Sequence, residues 1–164
     1  MSTSDAFSYL LIWSLIGCVL FSFFVLIAFR TGLVYTARKE DGTLKNRIPL
    51  KGILAMTIIP IGLFGLDLVS NYFGWVKKGF PLDFWPIFLL NYGVYVILFV
   101  YDTLIIDGFV ISVWHPTFLR IPAAMGKESM KKHILISLLV GFILGAILTL
   151  AGTSLSFLLW MKAE

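Results

Sequence analysis

Four long apolar stretches alternate with short polar ones along this chain. Phe7 to Phe29 carries no charge, Gly52 to Val76 carries only Asp67, Trp85 to Trp114 carries Asp102 and Asp107, and Ile134 to Trp160 carries none. Each is longer than the roughly 20 residues that cross a hydrocarbon core at about 1.5 Å rise per residue. The pattern predicts an all-α polytopic membrane protein. It is one domain over residues 1–164, with four transmembrane helices in a bundle, spanning about 7–29, 52–76, 85–114 and 134–160. The remaining loops are too short to hold an ATP-driven engine or a catalytic domain.

Composition agrees with that reading. Hydrophobic residues make up 59% of the chain and charged residues 13%, against about 25% charged in an ordinary soluble domain. The start, "MSTSDAF", lacks the basic region of a cleaved leader, so the first span is expected to be retained. Cys18 is the single cysteine and lies inside a span, so it can form no disulfide within one chain.

The net charge of +4 reads as attraction to anionic lipid headgroups rather than to nucleic acid. The loop from Arg30 to Lys51 holds six Lys or Arg residues and the loop from His115 to His133 holds four, which is ten of the chain's 13. By the positive-inside rule both loops are cytoplasmic and both termini lie on the other side. The expected location is the cell inner (plasma) membrane. Trp75, Trp85, Trp114 and Trp160 fall at span ends, where indoles anchor at headgroup level. "ARKEDGTLKNRIP" reads as a solvated connector around the Asp41-Gly42 turn. In the third loop Phe118, Leu119 and Ile121, set between two prolines, suggest a segment lying along the interface.

Packing signals are also visible. Ser137, Gly141, Gly145 and Thr149 recur every four residues, a ridge on which helix backbones can approach closely. It fits either packing within the bundle or a homodimer seam. Pro60 should bend the second span, and Gly62 and Gly65 should admit a close neighbour.

Counting rise along each helix sorts the polar residues into two levels. An outer layer holds Asp67, Asn71, Asn91 and Tyr95; an inner one holds Asp102, Asp107, His115, Arg120 and His133. The positions between, such as Val96 to Leu98, are apolar. On an α-helical wheel Asp102 shares a face with Asn91 and Tyr95, while Asp107 points about 140° away from Asp102. Asp107, near the boundary, is expected to pair with basic residues of the third loop. Asp102 is deeper, where a carboxylate calls for a proton or a cation. Asp67 and Asn71 could instead satisfy the backbone group freed by Pro60, or bond to Asn91. No compact metal-ligand spacing is present, and no cofactor is expected.

The stretch from Asp102 to Gly145 resembles a family of small bacterial four-helix membrane proteins. Their pattern is D-x-x-x-x-D, then P-x-F-x-x-I-P, then a His before a Gly-containing last helix. Asp102, Asp107, Pro116, Phe118, Ile121, Pro122, His133 and Gly141 occupy it in order. The resemblance implies the four-span topology and groups the inner-layer residues, but lends no activity.

Three functions therefore compete. The first is a non-catalytic accessory or lipid-binding component, alone, as a homodimer or in a larger membrane complex. The second is a small proton- or cation-linked transporter using Asp102. The third is a membrane enzyme acting on lipid headgroups through Asp102, Asp107 and His115.

Overall fold

The computed structural model describes residues 2–33, 49–77, 79, 83–114, 116–119 and 127–160. Every regular element among them is helical. Helix α1 runs Thr3–Arg30 and α2 Leu50–Tyr72, the latter continuing as a π-helical turn over Phe73–Lys77. Helix α3 runs Phe84–Tyr101 and continues as a π-helix over Asp102–Trp114; a short 3₁₀ turn, Thr117–Leu119, follows, and α4 runs Lys127–Trp160. Four helices are long and apolar enough to cross a membrane. Residues 34–48, which make up most of the first loop, lie outside the described residues, as do His115 and Arg120.

Local chemistry sets the helix ends. Ser2 and Asp5 form a reciprocal capping box: the Asp5 amide donates to Ser2 Oγ at 3.1 Å and the Ser2 amide to Asp5 Oδ2 at 3.3 Å, satisfying amides that α1 leaves unbonded at its start. Gly32, with φ of 73°, turns the chain out of α1 in a conformation costly for other residues. Pro49 precedes α2, where a missing N–H costs nothing.

Around the bundle, α3 packs on both α1 and α4, and α2 packs on α4. Helices α2 and α3, consecutive in the chain, barely touch, so the order around the ring is α1, α3, α4, α2. Glycines mark the close approaches. A β-carbon on Gly141 would meet the Phe99 ring at 2.7 Å, and one on Gly145 would meet Phe99 at 3.1 Å and Tyr95 Cβ at 3.3 Å. The small-residue ridge of α4 thus faces α3 of the same chain. Gly17 of α1 fits against Leu98 and Leu66, and Gly93 of α3 against Leu10.

Two expectations are overturned. A β-carbon on Gly62 or Gly65 would meet nothing within 4 Å; these glycines lie on a face of α2 that no helix covers, so they admit no close neighbour. Trp75 is not an interfacial anchor. It is 5% exposed and packs against Phe157 and Trp160 with ring centroids 6.2 and 5.8 Å away, because the π turn ending α2 directs it inward. Trp85 and Trp114 do face outward.

Candidate functional site

The interior is layered along the bundle axis, and all four helices keep the same order. At the end where α1 and α3 start and α2 and α4 finish, Tyr9, Trp75 and Ile87 form an apolar cap with Trp13, Leu90, Phe157 and Trp160. Beneath it lies a polar layer. Below that, Leu63, Tyr95 and Leu98 pack with Cys18, Phe21, Ile59, Phe99 and Leu148. The far end holds Asp102, Asp107 and a third apolar cluster of Phe29, Ile106, Ile111 and Leu119.

The polar layer draws on every helix. Asn91 of α3 is its hub: its amide donates to Asn71 Oδ1 at 2.6 Å and to Thr153 Oγ1 at 3.5 Å. Its carbonyl accepts from the Tyr9 hydroxyl at 2.8 Å and from Ser70 Oγ at 3.4 Å. Asn71 in turn donates to Ser156 Oγ at 3.0 Å. Asn71 and Asn91 are each 1% exposed, and Thr149, Thr153 and Ser156 are fully enclosed. Side chains buried this completely depend on protein partners for their hydrogen bonds.

Asp67 goes without. It is 2% exposed, and neither carboxylate oxygen has a hydrogen-bond partner. One helical turn along α2, Asn71 is fully engaged with Asn91 and Ser156, so the nearby amides are committed elsewhere. The carboxylate sits against α4 at Gly152, where any β-carbon would overlap Oδ2. The hydroxyls of Tyr95 and Thr149 are also buried without a partner. Asp67 acts electrostatically on Tyr9 and Tyr95, which face it from α1 and α3. No Lys or Arg occurs in the described apolar cores of the four spans.

The lower polar layer is organised differently from the α-helical expectation. Asp102 begins a 13-residue π-helix, in which the backbone pairs residue i with i+5. Positions 102 and 107 therefore stack about one turn apart instead of pointing to different sides, and their carboxylates repel each other. Gly108 suits this winding: a β-carbon there would lie 3.1 Å from the Thr103 carbonyl oxygen. Asp107, 8% exposed, is the more enclosed of the two by protein, and Asp102 is half-buried. Next to Asp102, the Tyr101 hydroxyl lies 2.7 Å from Ser22 Oγ of α1.

The predicted outer-layer residues Asp67, Asn71, Asn91 and Tyr95 thus lie in one buried region. Of the predicted inner-layer residues, His115 and Arg120 lie outside the described residues, as does the side chain of His133. Sequence reasoning missed Tyr9, Ser70, Thr153 and Ser156. A signal existed on α4, where Thr149, Thr153 and Ser156 recur at four and three residues along a charge-free span. Tyr9 carried none, since a tyrosine near a span end reads as an interfacial anchor. Among the described residues no three His, Cys, Asp or Glu side chains gather as metal ligands. The chain matches no protein-family model, no curated protein and no solved structure.

Proposed function

We propose that this protein moves a proton or a small cation across the cell inner membrane, with Asp67 as its principal carrier group and Asp102 as a second station. The observation that carries this reading is the enclosed, unpartnered carboxylate of Asp67. An ionised group with no counter-charge is expensive at such a position, and such residues typically mark a pathway or a site. Counting from the level of Asn91, which meets Asn71, places Asp67 about level with Tyr95. Asp102 then lies about 10 Å further along the axis at 1.5 Å per residue. The apolar layer of Leu63, Leu98 and Leu148 separates the two carboxylates, and the aromatic cap closes the other side. Such an enclosure suits a carrier in an occluded form, which must open to one side at a time. The helices insert with both termini outside and the basic loops on the cytoplasmic leaflet, where anionic headgroups hold them.

The protein reconstituted in liposomes tests this. Under an imposed potential, wild-type vesicles should take up protons or sodium faster than protein-free ones, and Asp67→Asn should lower uptake to the protein-free rate. Equal rates with wild-type and empty vesicles would refute transport. The accessory-component reading would then stand, supported by the hydrogen-bonded layer that ties all four helices together.

A further inference from the structure

We propose that Asp67, Tyr95 and Thr149 form a binding site for one dehydrated sodium ion between α2, α3 and α4. This deepens the transport reading by naming the ion and its ligands, and it rests on that reading for its role but not for its chemistry.

The donor set comes from geometry. Asp67 lies against Gly152 of α4, and Tyr95 lies against Gly145 of the same helix. Thr149 stands between these two glycines in sequence, with four residues to one side and three to the other, so all three share one face of α4. That face is turned inward: Gly145 and Gly152 are buried and Thr149 is fully enclosed. Six buried side-chain atoms among the described residues lack a hydrogen-bond partner. Trp75 Nε1 belongs to the aromatic cap and Ser14 Oγ to α1; the four that border this face of α4 are oxygens, two from Asp67, one from Tyr95 and one from Thr149. Glycine at 152 keeps open the notch that the carboxylate fills, since any side chain there would displace it.

Charge balance selects the ion. The site offers one negative charge and neutral hydroxyls, so a monovalent cation leaves it neutral. A divalent one would leave a net positive charge in a low-dielectric interior with no second carboxylate in this layer, at high cost. Hard oxygen donors suit alkali and alkaline-earth ions rather than the thiophilic metals. A proton competes for the same carboxylate. The titratable groups facing Asp67 are Tyr9 on α1 and Tyr95 on α3, while α4 presents only Thr149, Gly152 and Thr153. Only Asp67 among these is a carboxylate, so sodium and a proton should exclude each other there.

The test is thermal unfolding of the purified full chain in lipid nanodiscs, with sodium chloride replacing choline chloride at constant ionic strength. At pH 8.5 the midpoint should rise with the logarithm of sodium concentration, as for any ligand that binds only the folded state. Potassium should raise it less, and the sodium effect should shrink as pH falls. Asp67→Asn should remove the sodium response, and Ile143→Val, on the exposed face of α4, should retain it. Because Asp67→Asn could fold poorly, Thr149→Val gives an independent reading. It keeps the side chain's shape and removes one oxygen, so it should raise the sodium concentration for half-effect by about tenfold or more.

Coincident sodium and choline curves at every pH, with pH alone moving the midpoint, would overturn the sodium site in favour of a protonated carboxyl. A sodium response unchanged by Thr149→Val would overturn it as well. Sodium binding without flux would leave the site standing and sink the transport reading; proton flux without sodium binding would do the reverse.

Discussion

Gly152→Ala is the most direct probe of how the carboxylate is seated. The added methyl would overlap Asp67 Oδ2 and lie 2.8 Å from Cγ and 3.3 Å from Cβ. The nearest neighbour is therefore a short side chain held close to the α2 backbone, with little reach to swing away. Overpacking of this kind costs about 1–3 kcal/mol. Against it stands the helix-propensity gain of alanine over glycine, about 1 kcal/mol. The expected net effect is destabilisation by up to ~2 kcal/mol. The comparison is Gly62→Ala, in the middle of α2 with open space at its β-carbon, where only the propensity gain remains and stability should rise by up to ~1 kcal/mol. The two changes should then be combined with Asp67→Ala in a double-mutant cycle, read by reversible unfolding in mixed micelles. With the carboxylate gone, Gly152→Ala should turn neutral or stabilising. If it costs as much in the Asp67→Ala background as in the wild type, the clash lies elsewhere. The placement of Asp67 against α4 is then wrong, and the ion site with it.

Two further predictions concern the layer above and the sidedness of the whole. Asn91→Leu removes the hub and leaves the Asn71 carbonyl and the Tyr9 hydroxyl without their shortest bonds; it should cost about 1–3 kcal/mol, while Tyr9→Phe, losing one bond, should cost about 0.6 kcal/mol. Unfolding midpoints check this, and equal costs would mean that Asn91 is not the hub. A cysteine placed at Asp41 or at Ser129 should be labelled by an impermeant reagent only from the cytoplasmic side, as the charge bias requires; labelling from outside would invert the topology.

The number and extent of the helices were legible because a charge-free run of more than 20 residues admits little else. A fixed rise also converts sequence position into depth. The four residues it sets at the outer level, Asp67, Asn71, Asn91 and Tyr95, are all buried, while His115, Arg120 and the side chain of His133 lie outside the described residues. The winding of residues 102–114 was not legible. Nothing in "DTLIIDGFVISVW" distinguishes a π-helix from an α-helix, and the difference decides whether Asp102 and Asp107 diverge or stack. The inward turn of Trp75 was hidden for the same reason, because it depends on the π turn at Phe73–Lys77. Which helix neighbours which was also beyond reach, since apolar faces without charge show no direction. Gly62 and Gly65 therefore looked like contact glycines, when the close approaches use Gly17, Gly93, Gly141, Gly145 and Gly152.

The ring order α1, α3, α4, α2 has a consequence for biogenesis. Helix α2 finds its main neighbour in α4, which follows it two helices later in the chain, and meets α3 chiefly through Asn91. When three helices have left the ribosome, Asn71 lacks Ser156 and Asp67 lacks the notch at Gly152. For that interval Asn71 can already meet Asn91 of α3, but Asp67 belongs to a helix whose α4-facing side is still open. Packing of α2 is therefore complete only once α4 has been made, because the contact that seats Asp67 joins two helices that are not consecutive in the chain.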